Sequence, residues 1–144
     1  MLDKLIYFDT SHLARLYLED PGYREARELA APCTAVVSAW HAQAELVSAF
    51  HRSHREGRLS APAFHAVLEQ FEADDAAGLF RWLPLTDAVL QRVRQVYAKA
   101  DARVYLRAAD ALHLACAADA GFSEVYSNDL RLRAAAPLFG VRTP

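Results

Sequence analysis

The sequence predicts an α/β fold in which a mainly parallel sheet is covered by helices on both faces. Short apolar runs alternate along the chain with longer segments of helical periodicity, a pattern typical of strand, helix, strand units. The 144 residues, 53% of them hydrophobic and 24% charged, suit one ordered domain over residues 1–144. No repeat with a period of about 20 to 50 residues appears, which excludes a repeat array.

The first half of the chain is expected to hold two strands. An apolar and aromatic run favours a strand at the start, because Thr10 and Ser11 follow it and can cap a helix. A second apolar run is followed by Ser38, a plausible cap for a long helix that stops before Gly57. In order, the predicted elements are a strand over 4–9, a helix over 12–18, a helix over 23–30, a strand over 33–37 and a helix over 39–55.

The second half continues the alternation. Ser60 opens one helix, Thr86 or Asp87 caps the next, and Gly121 is a stop signal for a third. In order, the predicted elements are a helix after Ser60, a strand over 79–83, a helix after Thr86, a helix over 104–119, a strand over 124–126, a helix over 130–136 and an edge strand over 141–142.

The composition excludes several classes of protein. The net charge of −2 gives no global attraction to nucleic acid, so any polyanion must be bound through local Arg or through metal. The N-terminal apolar run is too short for a signal peptide, and no window approaches the roughly 18 apolar residues of a membrane span. We therefore expect a soluble, cytoplasmic protein without membrane contact. Cys33 and Cys116 lack metal-ligand spacing and are interpreted as reduced thiols without chemistry.

Four carboxylates occupy unusual places in the predicted elements. Asp9 and Asp129 each follow a strand, at the sheet edge where ligands bind in open α/β folds. Glu45 and Asp110 lie on apolar helix faces, where an unpaired acid is costly. Four clustered carboxylates repel one another unless some are protonated or a divalent cation neutralises them, and oxygen ligands select hard ions such as Mg²⁺ or Mn²⁺. The chemistry this indicates is metal-assisted phosphodiester hydrolysis.

Each acid also has an ordinary structural interpretation. Asp9 can cap the first helix, and Asp129 can lie in a turn or cap a helix. Glu45 and Asp110 can form buried salt bridges with Arg. Two other functions also stay open: a phosphatase that uses Asp9 as its nucleophile, although Ser11 stands where a second acid is usual, and a non-catalytic interaction module.

Four short segments of the chain resemble, in order and spacing, the motifs of PIN-domain ribonucleases, particularly the VapC-type toxins of bacterial toxin–antitoxin pairs. These segments are Tyr7–Ser11, Ala44–Leu46, Asp110–Leu114 and Ser127–Leu130. No single motif is specific, but four in the right order are a strong joint signal. The resemblance implies a three-layer α/β/α sandwich, Mg²⁺ or Mn²⁺ as cofactor, endonucleolytic cleavage of RNA, frequent homodimerisation, and inhibition by a cognate antitoxin.

The same resemblance implies roles for individual residues. Asp9 and Asp110 correspond to the principal metal-binding and catalytic acids, with Glu45 and Asp129 completing the acidic set. Two hydroxyl residues of the motifs are expected to support the site: Thr10 and Ser127, the latter standing where the family often has Thr.

Other polar residues near these motifs allow two interpretations each. His113 lies one turn beyond Asp110 and His41 one turn before Glu45, so both can be drawn as ligands of zinc or iron. Interior packing with hydrogen-bonded ring nitrogens is the commoner role of such a histidine. Three arginines can hold RNA phosphates or form a solvated helix end: Arg52, Arg55 and Arg58.

Overall fold

A computed structural model describes residues 3–144, and this structure confirms the predicted α/β fold. Met1 and Leu2 of the predicted domain lie outside the described residues. The strands are β1 (Leu5–Tyr7), β2 (Ala35–Ala39) and β3 (Phe80–Leu83). The helices are α1 (Thr10–Ala14), α2 (Tyr23–Ala30), α3 (Ala42–Arg55), α4 (Ala61–Ala76), α5 (Asp87–Lys99), α6 (Ala108–Asp119) and α7 (Leu130–Ala135), the last continued by a 3₁₀ turn (Ala136–Phe139).

The sheet is parallel, with β2 between β1 and β3. It continues beyond β1, because the N–H of Asp9 donates to the carbonyl of Tyr126 at 3.1 Å and Phe8 forms a parallel bridge with Tyr126. A further parallel bridge joins Glu124 to Arg142. The predicted strands over 124–126 and 141–142 are therefore present as single bridges at this edge.

Helices cover both faces of the sheet because neighbouring strand residues point to opposite sides. Tyr7 and Val37 pack into one core with Leu114 of α6 and residues of α5 and α7. Phe8 and Val36 pack into the other core, with apolar residues of α1 to α4. Since the two cores lie on opposite faces of the same strands, the fold has three layers.

Two predicted helix boundaries are wrong for the same physical reason. Ser38 does not cap α3: it is fully buried within β2, which continues to Ala39 because Ser38 and Ala39 pair with β3. The helix consequently begins at Ala42. The helix predicted over 104–119 begins only at Ala108, after Arg107 in an extended conformation. In both places tertiary contacts, and not local propensity, determine where the helix begins.

Two further expectations from the sequence concern membrane-spanning helices and the two cysteines. None of the helices within residues 3–144 is long and apolar enough to span a membrane. Both cysteines are free thiols, Cys33 partly buried and Cys116 buried.

Candidate active site

The four predicted acids line one cleft of about 410 Å³ at the carboxyl edge of the sheet. Asp9 follows β1 and Asp129 follows the Tyr126 bridge, so the parallel strands deliver both to this edge. Glu45 reaches the cleft from the first turn of α3, and Asp110 from the first turn of α6. Residues more than 100 positions apart are therefore brought together as the sequence analysis expected.

Asp9 is held by three hydrogen bonds and is only 3% exposed. Its Oδ1 accepts from the hydroxyl of Ser11 at 2.6 Å and from the N–H of His12 at 3.0 Å. Its Oδ2 accepts from the hydroxyl of Ser127 at 2.6 Å. Asp9, and not Thr10 or Ser11, thus caps α1 while it also lines the cleft. Burial raises the pKa of Asp9, although His113 and the two serine hydroxyls partly oppose this.

Asp129 divides its two oxygens between a structural contact and the cleft. Oδ1 accepts from the N–H groups of Arg131 and Leu132 at 2.9 and 3.2 Å and so caps α7. Oδ2 accepts from the guanidinium of Arg107. The hydroxyl of Ser127 accepts from the N–H of Asp129 at 2.9 Å, which links Asp9 and Asp129 through one serine. The capping interpretation is therefore correct for one oxygen and leaves the other facing Arg107.

Arg107 is a cleft residue that the sequence analysis missed. Its Nε donates to Oδ2 of Asp110 at 2.9 Å, and its Nη2 donates to Asp129. Burial raises the pKa of Asp110, and the ion pair with Arg107 only partly offsets this rise. The spacing of three residues between Arg107 and Asp110, which allows an ion pair across one helical turn, was the available signal. The contact between Arg107 and Asp129 has no signal in the local sequence.

Replacing Arg107 with Gln is expected to strengthen Mn²⁺ binding severalfold. A divalent ion that binds Asp110 and Asp129 must replace their contacts with the guanidinium, and Gln removes that competing charge. Isothermal titration with Mn²⁺ at pH 8 measures the change, and Arg94→Gln on the exposed surface of α5 is the matched control. Equal or weaker Mn²⁺ binding in the Arg107 variant would contradict this account.

Glu45 accepts hydrogen bonds from two elements besides its own helix. The hydroxyl of Thr10 donates to its Oε1 at 2.8 Å, and Nε2 of His113 lies 2.9 Å from the same oxygen. Nε2 of His41 lies at 3.3 Å, one turn before Glu45. Burial opposes ionisation of Glu45, but His113 and Thr10 outweigh it and lower the pKa of this carboxyl. Glu45 is therefore ionised at neutral pH.

His113 is 1% exposed, and both of its ring nitrogens have partners. Nδ1 lies 2.9 Å from the hydroxyl of Tyr7, and Nε2 contacts Glu45 and, at 3.1 Å, Thr10. Hydrogen bonds between side chains, from Tyr7 through His113 to Glu45, connect the core beneath the sheet to the cleft. His113 thus has the buried, hydrogen-bonded role that is common for a histidine on an apolar helix face.

The three predicted arginines do not share one environment. Arg52 and Arg58 line the cleft, whereas Arg55 is exposed and is not among its lining residues. Arg58 is paired with Asp20 at 2.8 Å and with Glu56 at 3.2 Å. Arg15 also lines the cleft and donates to the backbone carbonyls of Ser11 and Pro21. The cleft is therefore lined by both acidic and basic side chains.

The donor set of this cleft fits a hard divalent cation. Carboxylate oxygens from four elements face one space, and Arg107 is the positive charge that pairs with two of them. Mg²⁺ and Mn²⁺ prefer oxygen ligands and are usually bound by a few carboxylates together with water or phosphate oxygens. Asp9, Glu45, Asp110 and Asp129 are the residues that would hold such an ion.

Comparisons with known proteins agree with the fold. Two solved structures are similar to it, each with a TM-score of 0.67. One is Mycobacterium tuberculosis VapC20, described as a sarcin-ricin loop cleaving toxin, which is 23% identical; the match covers 95% of this chain and 98% of that one. The other is VapBC2 from Rickettsia felis, bound to a DNA fragment from its promoter, which is 10% identical with 97% of each chain covered. A search of curated proteins gave no match.

The family comparison covers most of the chain. The model of the PIN domain matches residues 6–137, a span that contains all four acids and every strand except the start of β1. The chain therefore belongs to the PIN domain family.

Proposed function

We propose that the protein is a Mg²⁺- or Mn²⁺-dependent endoribonuclease that acts as the toxin of a toxin–antitoxin pair. The observation that carries the proposal is the convergence of Asp9, Glu45, Asp110 and Asp129 on one cleft of a PIN domain. The solved neighbours support the toxin assignment, because one is described as a sarcin-ricin loop cleaving toxin and the other as VapBC2 bound to a DNA fragment from its promoter.

In this proposal the carboxylates of the cleft bind the metal ion, and neighbouring side chains orient the carboxylates. The four carboxylates would hold the divalent ion, and such an ion would supply activation of water and stabilisation of negative charge on the phosphate. Ser11 and Ser127 fix both oxygens of Asp9, so this carboxylate is oriented before substrate arrives. Thr10 and His113 do the same for Glu45.

Arginines of the cleft would bind the RNA backbone. Arg15, Arg52, Arg58 and Arg107 line the same space as the acids. A guanidinium binds a phosphate through two parallel hydrogen bonds, and such contacts position the backbone without reading its sequence. The chain as a whole carries a net charge of −2. We therefore infer that RNA is attracted locally, by these four arginines.

The proposed partners follow from the same assignment. We propose a cognate antitoxin that blocks the cleft, a homodimeric toxin, and action on RNA in the cytoplasm. VapBC2 from Rickettsia felis, to which this chain is structurally similar, is described as bound to a DNA fragment from its promoter. Copurification with the product of the neighbouring reading frame, with a loss of cleavage on binding, tests the antitoxin assignment.

The two competing functions receive less support from the geometry. A phosphatase that uses Asp9 as its nucleophile would usually need a second acid two residues later, and that position is Ser11. The hydroxyl of Ser11 donates to Asp9. A non-catalytic module leaves the convergence of four acids without a purpose.

The purified protein is expected to cleave single-stranded RNA with Mg²⁺ or Mn²⁺ and to lose this activity in EDTA. Removal of the ion leaves the four carboxylates without the charge that activates water, so cleavage should fall to background. Gel analysis of a labelled RNA, with Mn²⁺ restored after chelation, measures the requirement. Circular dichroism in EDTA confirms that the fold persists, and full cleavage in EDTA would refute the ribonuclease assignment.

A further inference from the structure

A second donor set, richer in nitrogen, includes two residues that line the cleft, Glu45 and His113, and one that lies beside them, His41. His41, Glu45 and His113 each direct a ligand atom toward the other two, and these three atoms lie within 4.8 Å of one another. The Oε1 of Glu45 is 3.3 Å from Nε2 of His41 and 2.9 Å from Nε2 of His113. The two imidazole rings are neighbours, with centroids 4.5 Å apart. This set shares only Glu45 with the four acids.

The spacing of these atoms suits a tetrahedral ion with nitrogen and oxygen ligands. For metal–ligand bonds of about 2.1 Å, a tetrahedral zinc site places neighbouring donors about 3.4 Å apart. The separations from Glu45 are already near this value, so binding needs only small side-chain movements. Imidazole also changes the selectivity of the site, because two nitrogens and one carboxylate favour Zn²⁺ over Mg²⁺.

The surrounding residues hold the two imidazoles in a suitable orientation. Nδ1 of His113 lies 2.9 Å from the hydroxyl of Tyr7, a fully buried residue, so Nε2 is the nitrogen that faces Glu45. With Nε2 bound to the ion, Nδ1 would carry the proton and donate it to the hydroxyl of Tyr7, as the second ring nitrogen of a metal-binding histidine typically does. His41 and Glu45 are one helical turn apart at the start of α3, which keeps them on one face.

Binding at His41 would cost one hydrogen bond. Its Nε2 lies 3.0 Å from the carbonyl of Ala109, and this contact would give way to the ion. Its other ring nitrogen is buried and has no hydrogen-bond partner within residues 3–144, whereas Nε2 faces Glu45 at 3.3 Å and is the nitrogen that would bind the ion. The open side of the cleft leaves the fourth position for water.

We propose that His41, Glu45 and His113 form a Zn²⁺ site, distinct from the carboxylate site and overlapping it at Glu45. A zinc ion bound there withdraws Glu45 from the ligands of Mg²⁺ or Mn²⁺ and so inhibits hydrolysis. This inhibitory consequence rests on the proposed ribonuclease function, whereas zinc binding itself does not.

The test compares Zn²⁺ binding in the full chain and in three variants by isothermal titration. His41→Gln removes one ligand and should weaken Zn²⁺ binding by about tenfold or more. Even the loss of a residue that only hydrogen-bonds to a metal ligand lowers metal affinity by about tenfold. Asp110→Asn alters the carboxylate site, and His65→Gln alters an exposed histidine of α4; both should change Zn²⁺ affinity by less than about threefold. Circular dichroism confirms that each variant is folded.

A spectroscopic measurement separates the two metal sites independently of catalysis. Co²⁺ in place of Zn²⁺ should give the intense visible absorption of a tetrahedral ion in the wild type and in Asp110→Asn, and lose it in His41→Gln. The proposal is overturned if the wild type binds no Zn²⁺, if His41→Gln binds it unchanged, or if Asp110→Asn loses it as fully as His41→Gln. Because none of these readouts uses RNA, failure of the ribonuclease assignment would leave them interpretable.

Discussion

Replacing Asp9 with Asn is expected to reduce RNA cleavage by about a hundredfold to a thousandfold, the effect of removing one preorganised electrostatic group from an active site. The substitution keeps the size and the acceptor oxygen that Ser11 and His12 use. It removes the negative charge that would hold the ion. Steady-state cleavage of a labelled RNA in Mn²⁺ measures the loss, and Asp110→Asn should behave in the same way because its carboxylate lines the same cleft.

The fold of the Asp9 variant should persist, for a reason that follows from the pKa of this group. Burial raises the pKa of Asp9, so the ionised form is less favourable in the folded chain than in the unfolded chain. The stability that protonation provides is present at low pH and is lost as pH rises through the folded-state pKa. At neutral pH without metal, Asn removes a buried charge, and the melting temperature should be equal or higher.

The control for this experiment is an acid outside the cleft. Asp87 is exposed at the start of α5, and Asp87→Asn should leave cleavage unchanged. Wild-type cleavage rates in both the Asp9 and the Asp110 variants would show that the acidic cleft is not the catalytic centre.

Replacing Phe50 with Ala is expected to lower the free energy of unfolding by about 3–5 kcal/mol, the usual cost of truncating a buried phenylalanine. Phe50 is fully buried in the core beneath α3. Its ring makes edge contacts with the rings of Tyr17 and Phe71, with centroids 5.5 and 6.3 Å apart. The cavity would loosen the helix that carries Glu45, so metal affinity should fall together with stability.

Urea denaturation followed by fluorescence measures this loss. Leu130→Ala is the matched control: this side chain is 79% exposed, and its removal should change stability by less than about 0.5 kcal/mol. A loss below about 1 kcal/mol in the Phe50 variant would mean that α3 is not anchored through this core.

Much of the fold could be predicted from the sequence because its signals are local. The run that ends at Ala39 is short and buried at every position, and the run before Asp9 ends in two buried residues on opposite faces, Tyr7 and Phe8, a pattern typical of parallel strands. The position of Asp9 and Asp129 after strands was enough to place them at one sheet edge. The boundary at Ser38 could not be predicted, because the strand extends only through pairing with β3, a segment about 40 residues away.

The sequence by itself determined the alternation of strands and helices, the parallel sheet, and the four acids that meet in the cleft. The tertiary structure alone decided that Arg107 joins Asp110 to Asp129, and that His113 and Thr10 hold Glu45. Periodicity reports which face of an element is buried, and this suffices to bring acids to a common edge. Which side chains then contact each other depends on how elements that are far apart in the sequence pack together. A local sequence pattern contains no information about that packing.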